Sequence, residues 1–182
     1  MCTVHSRGKE SLGAIHLDRR LVRPYAGLQM LVIKAIDELR SRLGQEVGVS
    51  EWHVVTQADI DRFADVTGDR QWIHVDVEAA RSGPFHGTIA HGFYTLSLIP
   101  MLSEQVLSLK NFGFAVNYGL NRVRFPAPLP VGNRVRLRLS IEAIEPRPGS
   151  TDITLLSSFE CEGQDKPVCV AESVVRVFDL KP

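Results

Sequence analysis

A chain of 182 residues, 44% apolar and 23% charged, is long enough to bury one full-sized core and has the composition of a folded globular domain. Its 21 Lys and Arg balance 21 Asp and Glu, so no global charge draws it to nucleic acid or to an anionic membrane surface. No apolar run approaches the roughly 18 residues of a spanning helix, and the opening MCTVHSRGKESLG lacks the apolar core of a signal peptide, so the cytoplasm is the expected compartment.

Residues 1–26 show neither helical nor strand periodicity. They read as a loosely structured N-terminal arm, made mildly basic by Arg19, Arg20 and Arg23. Residues 27–182 are expected to form a single domain. Ordered patterning begins near Met30, which makes Met30 an alternative start. From Gly27 to Leu43, the residues Leu28, Leu31, Val32, Ala35, Ile36, Leu39 and Leu43 recur at helical spacing, and Gly44 stops them. Gln45 to Val55 reads as a short, irregular strand. Thr56 is a good N-cap for a second helix with Ile60, Phe63, Ala64 and Thr67 on one face, ended by Gly68. Asp69 and His74 then share the following loop. Asp76 is placed to cap a short helix, Val77 to Arg81.

Phe93 to Leu107 is apolar on most of its circumference, the mark of a helix buried nearly all round, with a kink expected at Pro100. Beyond Lys110 the period changes to two. Phe112, Phe114, Val116 and Tyr118 alternate with small or polar residues, and Arg122 to Phe125 continues extended. Val135, Leu137, Leu139 and Ile141 alternate with Arg134, Arg136, Arg138 and Ser140, and Pro146-Arg147-Pro148-Gly149 is a turn. Thr151 to Glu162 and Pro167 to Phe178 are two further strands. Cys161 and Cys169 lie in them and read as small core residues of a reducing compartment, with a mutual disulfide as the alternative. Four or five antiparallel strands thus follow one apolar helix. A sheet with one face to bury, curled around a helix that needs cover, gives an α+β architecture. One small sheet cannot enclose such a helix, so a dimer is expected to complete the burial.

Asp69 and His74 are the first chemical candidates. An imidazole can take and return a proton, and a nearby carboxylate can hold the same water. On spacing alone, a capping Asp and a surface His explain the pair as well. Gly92 heads the apolar helix, where an unpaired N–H can meet a carbonyl or an anion and the missing side chain permits close approach. A packing glycine is the plainer alternative. His74, His86 and His91 match no common zinc spacing and no Cys joins them, so no metal site is expected. Ser97 and Ser103 lack a nucleophile elbow, and no Gly-rich phosphate loop is present. The arginines at 122, 124, 134, 136 and 138 read as solvated strand faces, with the phosphates of a carrier such as coenzyme A as the sharper alternative.

The run Ala64 to Pro100 resembles the MaoC-like dehydratases, the (R)-specific enoyl-CoA hydratases of the hydratase 2 type. Their motif is close to D-x-N-P-x-H followed by H-G at the head of the central helix. This chain has Asp69-Arg70-Gln71-Trp72-Ile73-His74, then His91-Gly92. The phrases GDRQWIHVD, TIAHGF and NYGLNRVRFPAPLPVG are similar to the branch that includes nodulation protein N-like proteins. The resemblance spans about residues 30–178. It implies a hot-dog fold, a homodimer, and syn hydration of a trans-2-enoyl thioester to the (R)-3-hydroxyacyl thioester, or the reverse. Asp69 and His74 would hold and activate the water, and the Gly92 N–H would polarise the thioester carbonyl. Gln71, Ala90 and His91 would lie on the substrate. No cofactor is implied, and the substrate would be an acyl-CoA or acyl carrier protein thioester. Gln71-Trp72 replaces Asn-Pro, and Pro100 stands where some members carry Ser; both departures touch specificity more than reaction class. A hot-dog thioesterase, with Glu104 as the sole acid of the central segment, and a non-catalytic acyl-thioester binding module are the competing functions.

Overall fold

The computed structural model describes residues 30–180, so the expected arm over residues 1–26 lies outside them. The alternating stretches become long strands. In chain order the elements are β1 (Leu31–Ile33), α1 (Ile36–Arg40), β2 (Glu46–Val49), β3 (His53–Val54), α2 (Gln57–Thr67), α3 (Trp72–Val75), α4 (Val77–Arg81), α5 (Gly92–Ser97), α6 (Ile99–Ser103), β4 (Leu107–Leu109), β5 (Ala115–Arg124), β6 (Arg134–Arg147), β7 (Ser150–Cys161) and β8 (Cys169–Phe178). The main sheet is antiparallel with the order β2-β6-β7-β8-β5, and β3 pairs beside β2 on β6. Its inner face carries Val135, Leu137, Leu139 and Ile141 of β6, Ile153, Leu155 and Phe159 of β7, and Ala171 and Val177 of β8. They form one core with Tyr94, Leu98, Ile99 and Leu102 of α5 and α6. Period-two alternation survives into the fold because only one face of these strands is buried. On the outer face, Arg134 pairs with Glu162, Arg136 with Glu160, and Arg138 with both Glu160 and Glu46. Of the expected solvated rows, Arg134, Arg136 and Arg138 form an ion-paired ladder.

Three expectations need correction. The helix expected over Gly27 to Leu43 is helical only over Ile36–Arg40, and Leu31–Ile33 is a strand running parallel to Leu107–Leu109. Its N–H and C=O groups find partners more than seventy positions away, Leu31 N donating to Val106 O and Lys110 N donating to Ile33 O. Long-range pairing of a β-branched segment overrides a local helical period. The expected strand over Gln45 to Val55 divides into β2 and β3, with a bulge between Glu46 and Gly48. The central apolar helix is two short helices broken at Leu98, because Pro100 has no N–H for the Leu96 carbonyl and instead opens the first turn of α6. Leu107 belongs to β4. Nor is the segment buried all round: Phe93 is 71% and Met101 43% exposed. A smaller difference is that β6 runs through Pro146 to Arg147, leaving Pro148-Gly149 as the hairpin turn to Ser150. Among the described residues, no helix is long and apolar enough to cross a membrane.

Candidate active site

The site begins at the end of α2. Thr56 caps this helix, its hydroxyl oxygen accepting from Asp59 N at 3.2 Å. Gly68 ends it in the left-handed region at φ 78°, donating to the Ala64 carbonyl. A side chain there would be strained, and the reversal throws Asp69 clear of the helix. His74 is not in an open loop as expected. It sits in the single turn α3, 7% exposed. Asp76 follows and caps α4, accepting from Ala79 N at 2.9 Å.

Residues 88–91 run between α3 and the loop after β5. Ile89 N donates to Ile73 O, and Ala90 N donates to Leu129 O. This places the Ile89 carbonyl 2.7 Å from His74 Nδ1. That contact fixes the proton on Nδ1 and leaves the Nε2 lone pair for other work. Gln57 on α2 braces the same turn, donating to the His74 carbonyl at 2.7 Å and accepting from the Thr88 hydroxyl at 2.7 Å. Neither Ile89 nor Gln57 carries a local sequence signal for this role.

His91 lies beneath the pair. Its ring stacks on that of His74 with centroids 3.8 Å apart, and its Nε2 donates to the Asp69 backbone carbonyl at 2.9 Å. It is 3% exposed, and its Nδ1 has no partner among the described residues. Side-chain ligand atoms of Asp69, His74 and His91 fall within 4.8 Å of one another. The histidine spacing that argued against a metal omitted Asp69 and included His86, so it did not anticipate this cluster. A tetrahedral zinc at about 2.1 Å from each ligand would draw its ligand atoms to about 3.4 Å apart. The same gap also suits one water accepted or donated at about 2.8 Å on each side.

Burial lowers the pKa of His74 below the ordinary 6.5; the Ile89 carbonyl opposes this, the neighbouring His91 adds to it, and Asp69 opposes it. The neutral imidazole therefore persists to more acidic pH than a free one. If His74 acts as a base, the acid limb of its kcat/KM profile should fall below pH 6.5; a limb above 6.5 would place that base elsewhere.

A cavity of about 330 Å³ is lined by His74, Ala90, Gly92, Thr95, Phe125 and neighbouring apolar residues. Gly92 is the first residue of α5, so its N–H has no acceptor within the helix. A Cβ added there would lie 3.0 Å from the Phe125 ring, so the ring would have to yield to any side chain at this position. Of the expected substrate-side residues, Ala90 lines the cavity. Gln71 is an exposed residue preceding α3, and His91 is buried under Asp69. His74 is the residue common to the Asp69 cluster and the Gly92 cavity.

The MaoC like domain family model matches residues 38–155. The chain is 49% identical over 148 residues to 3-hydroxyacyl-thioester dehydratase Z of Mycobacterium tuberculosis (strain ATCC 25618 / H37Rv), covering 81% of this chain and 98% of that protein. It is 43% identical over 156 residues to nodulation protein N of Rhizobium leguminosarum bv. viciae, covering 80% of this chain and 92% of the relative. Among solved structures, the MaoC-like dehydratase from Rhodospirillum rubrum superposes with a TM-score of 0.62 at 27% identity, over 77% of this chain and 94% of that one. The (R)-hydratase from A. caviae involved in PHA biosynthesis gives 0.61 at 24% identity, over 76% and 96%, a likeness of fold. The sheet packed on α5 and α6 is thus the hot-dog fold. By the extent of the family match and the identity to both relatives, the chain belongs to the MaoC-like dehydratase family.

Proposed function

We propose that this hydro-lyase interconverts a trans-2-enoyl thioester and the (R)-3-hydroxyacyl thioester by syn addition or loss of water. The observation that carries the reading is His74, held as a neutral base, standing between the Asp69 carboxylate and the cavity headed by Gly92. In the hydration direction, Asp69 and the His74 Nε2 hold one water over C3. Its oxygen bonds to C3 as the C2=C3 pair moves towards the thioester carbonyl, and the proton taken from water returns to C2 on the same face. The Gly92 N–H would donate to the carbonyl oxygen as negative charge develops there. Glu104, the acid a thioesterase reading would need, is an exposed residue at the end of α6 and lines neither this cavity nor the one described below.

Crotonyl-CoA is the test. Loss of the enoyl absorbance without release of free thiol, and an (R)-configured product, is the expected result. Thiol release without hydration would establish the thioesterase instead, and binding without either would leave a carrier module.

The homodimer is proposed from β5. Among the described residues this strand pairs with β8 on one side only, and it is exposed along almost its whole length. Val116, Tyr118 and Leu120 stand out with Phe93 and Met101 as large exposed apolar residues. A long apolar edge of this kind aggregates unless covered, and a second copy pairing β5 to β5 covers it. Sedimentation should show a dimer, and Val116→Arg should weaken it at least about tenfold by setting like charges across the strand pair; a monomeric wild type would remove the proposal. A cytoplasmic setting is proposed as well, in keeping with Cys161 and Cys169 as buried free thiols.

A further inference from the structure

A second cavity, of about 240 Å³, lies between α5–α6 and the β5–β8 edge, lined by Leu96, Ile99, Asn117, Gly119, Leu120 and Ser173. It has room for roughly eight heavy atoms at the ~30 Å³ a water takes in the liquid. The same α5–α6 segment lines both cavities. Gly92, Thr95 and Leu96 share one face of α5 at i, i+3 and i+4, and Ile99 opens α6 beyond the break at Leu98; the first two line the catalytic cavity and the last two line this one. The Phe125 ring, just after the end of β5, stands over Gly92, and within β5 Leu120 is the cross-strand partner of Ser173.

The lining is apolar except for Asn117 and Ser173. Ser173 is 7% exposed, and its Oγ has no hydrogen-bond partner among the described residues. Buried hydroxyls are normally paired, and one left unpaired is unfavourable. Ser157, its diagonal neighbour on the same face, is also unpaired but is wholly buried and lines neither of these two cavities. Strand β5 is displaced on either side of the cavity by register shifts at Asn117/Gly119 and Leu120/Arg122. Bulges re-aim side chains beside sites. A Cβ at Gly119 would meet nothing within 4 Å, so the space over that residue is open.

We propose that this cavity receives the far end of the acyl chain, and that Ser173 selects chains bearing a hydroxyl or carbonyl oxygen there. The substrate class is an enoyl thioester of about ten carbons, oxygenated near its end. The length follows from the segment between the two cavities: Gly92 to Ile99 spans on the order of 10 Å at ~1.5 Å per residue, which needs at least about seven bonds of ~1.5 Å beyond the carbonyl. A hydroxyl at the chain end gives to and takes from the Ser173 Oγ, whereas a plain alkyl end leaves that Oγ unpaired. The assignment of the thioester end rests on the hydratase reading above.

The test compares trans-2-decenoyl-CoA with the same thioester carrying a hydroxyl on its last carbon. Wild type should favour the hydroxylated chain in kcat/KM, and Ser173→Ala should cut that preference about tenfold, the scale of one hydrogen bond. Crotonyl-CoA is too short to reach Leu96 and should be turned over equally by both proteins, which also reports on folding. Gly119→Val, checked for its oligomeric state, should depress both ten-carbon substrates and spare crotonyl-CoA. A preference for the plain chain in wild type, or a ratio unmoved by Ser173→Ala, overturns the proposal. Calorimetric Kd values for decanoyl-CoA and 10-hydroxydecanoyl-CoA on wild type and Ser173→Ala give the same ratio without turnover. If crotonyl-CoA is inert, the hydratase reading fails while the binding ratio still decides this one.

Discussion

Asp69→Asn and His74→Ala should each lower kcat on crotonyl-CoA at least about 100-fold, the usual scale for an acid–base group. The double variant should fall little further, because two groups acting on one water behave as a unit. Asp69→Asn is the cleaner of the two. The backbone carbonyl that His91 grips is unchanged, and an amide oxygen can still accept from Gln71 N, which lies 3.4 Å from the carboxylate. His74→Ala strips the Ile89 carbonyl of its donor and His91 of its stacking partner, so its melting temperature must be measured beside kcat. Losses that multiply in the double variant would assign Asp69 and His74 to separate steps. Near-normal turnover by Asp69→Asn would end the catalytic assignment of the carboxylate.

What the sequence made legible was local. Asp69, His74, His91 and Gly92 fall within one stretch of the chain, and strands β6 to β8 each bury one face, so spacing and period carried the information. What it hid was long-range. Leu31–Ile33 becomes a strand only because Leu107–Leu109 lies beside it. The resemblance places His91 on the substrate side, and its hydrogen bond spans 22 positions to the Asp69 carbonyl, a contact that no local spacing announces. The segment from Phe93 is apolar all round, but not because the subunit buries it all round. One side packs on the sheet, one lines the cavities, and Phe93 and Met101 face outwards. Apolarity records every surface that must avoid water, including those that a substrate or a second subunit would cover. Phe125 was assigned to a strand end, and nothing in its neighbours predicted that its ring would stand over Gly92.

That ring changes how the Gly92 assignment must be tested. Gly92→Pro should lower kcat by about 10²–10³, the scale of one oxyanion donor, with a smaller effect on substrate binding, since the ground-state carbonyl carries less charge than the transition state. The backbone will accept the substitution. Gly92 is the first residue of α5, where Pro is tolerated, and His91 before it is already extended at φ −60° and ψ 141°, as a residue preceding Pro must be. Pro also brings a Cβ, however, and that atom would lie 3.0 Å from the Phe125 ring. Gly92→Ala separates the two effects, because it adds the same Cβ and keeps the N–H. Phe125 is 41% exposed and has room to swing away. If the N–H polarises the thioester, Ala should retain most of kcat while Pro loses two to three orders of magnitude, at similar melting temperatures. If Gly92 serves packing alone, Ala and Pro should fall together in melting temperature, and the folded fraction of each should turn over at nearly the wild-type rate. A stable, fully active Gly92→Pro enzyme would remove the N–H from the mechanism.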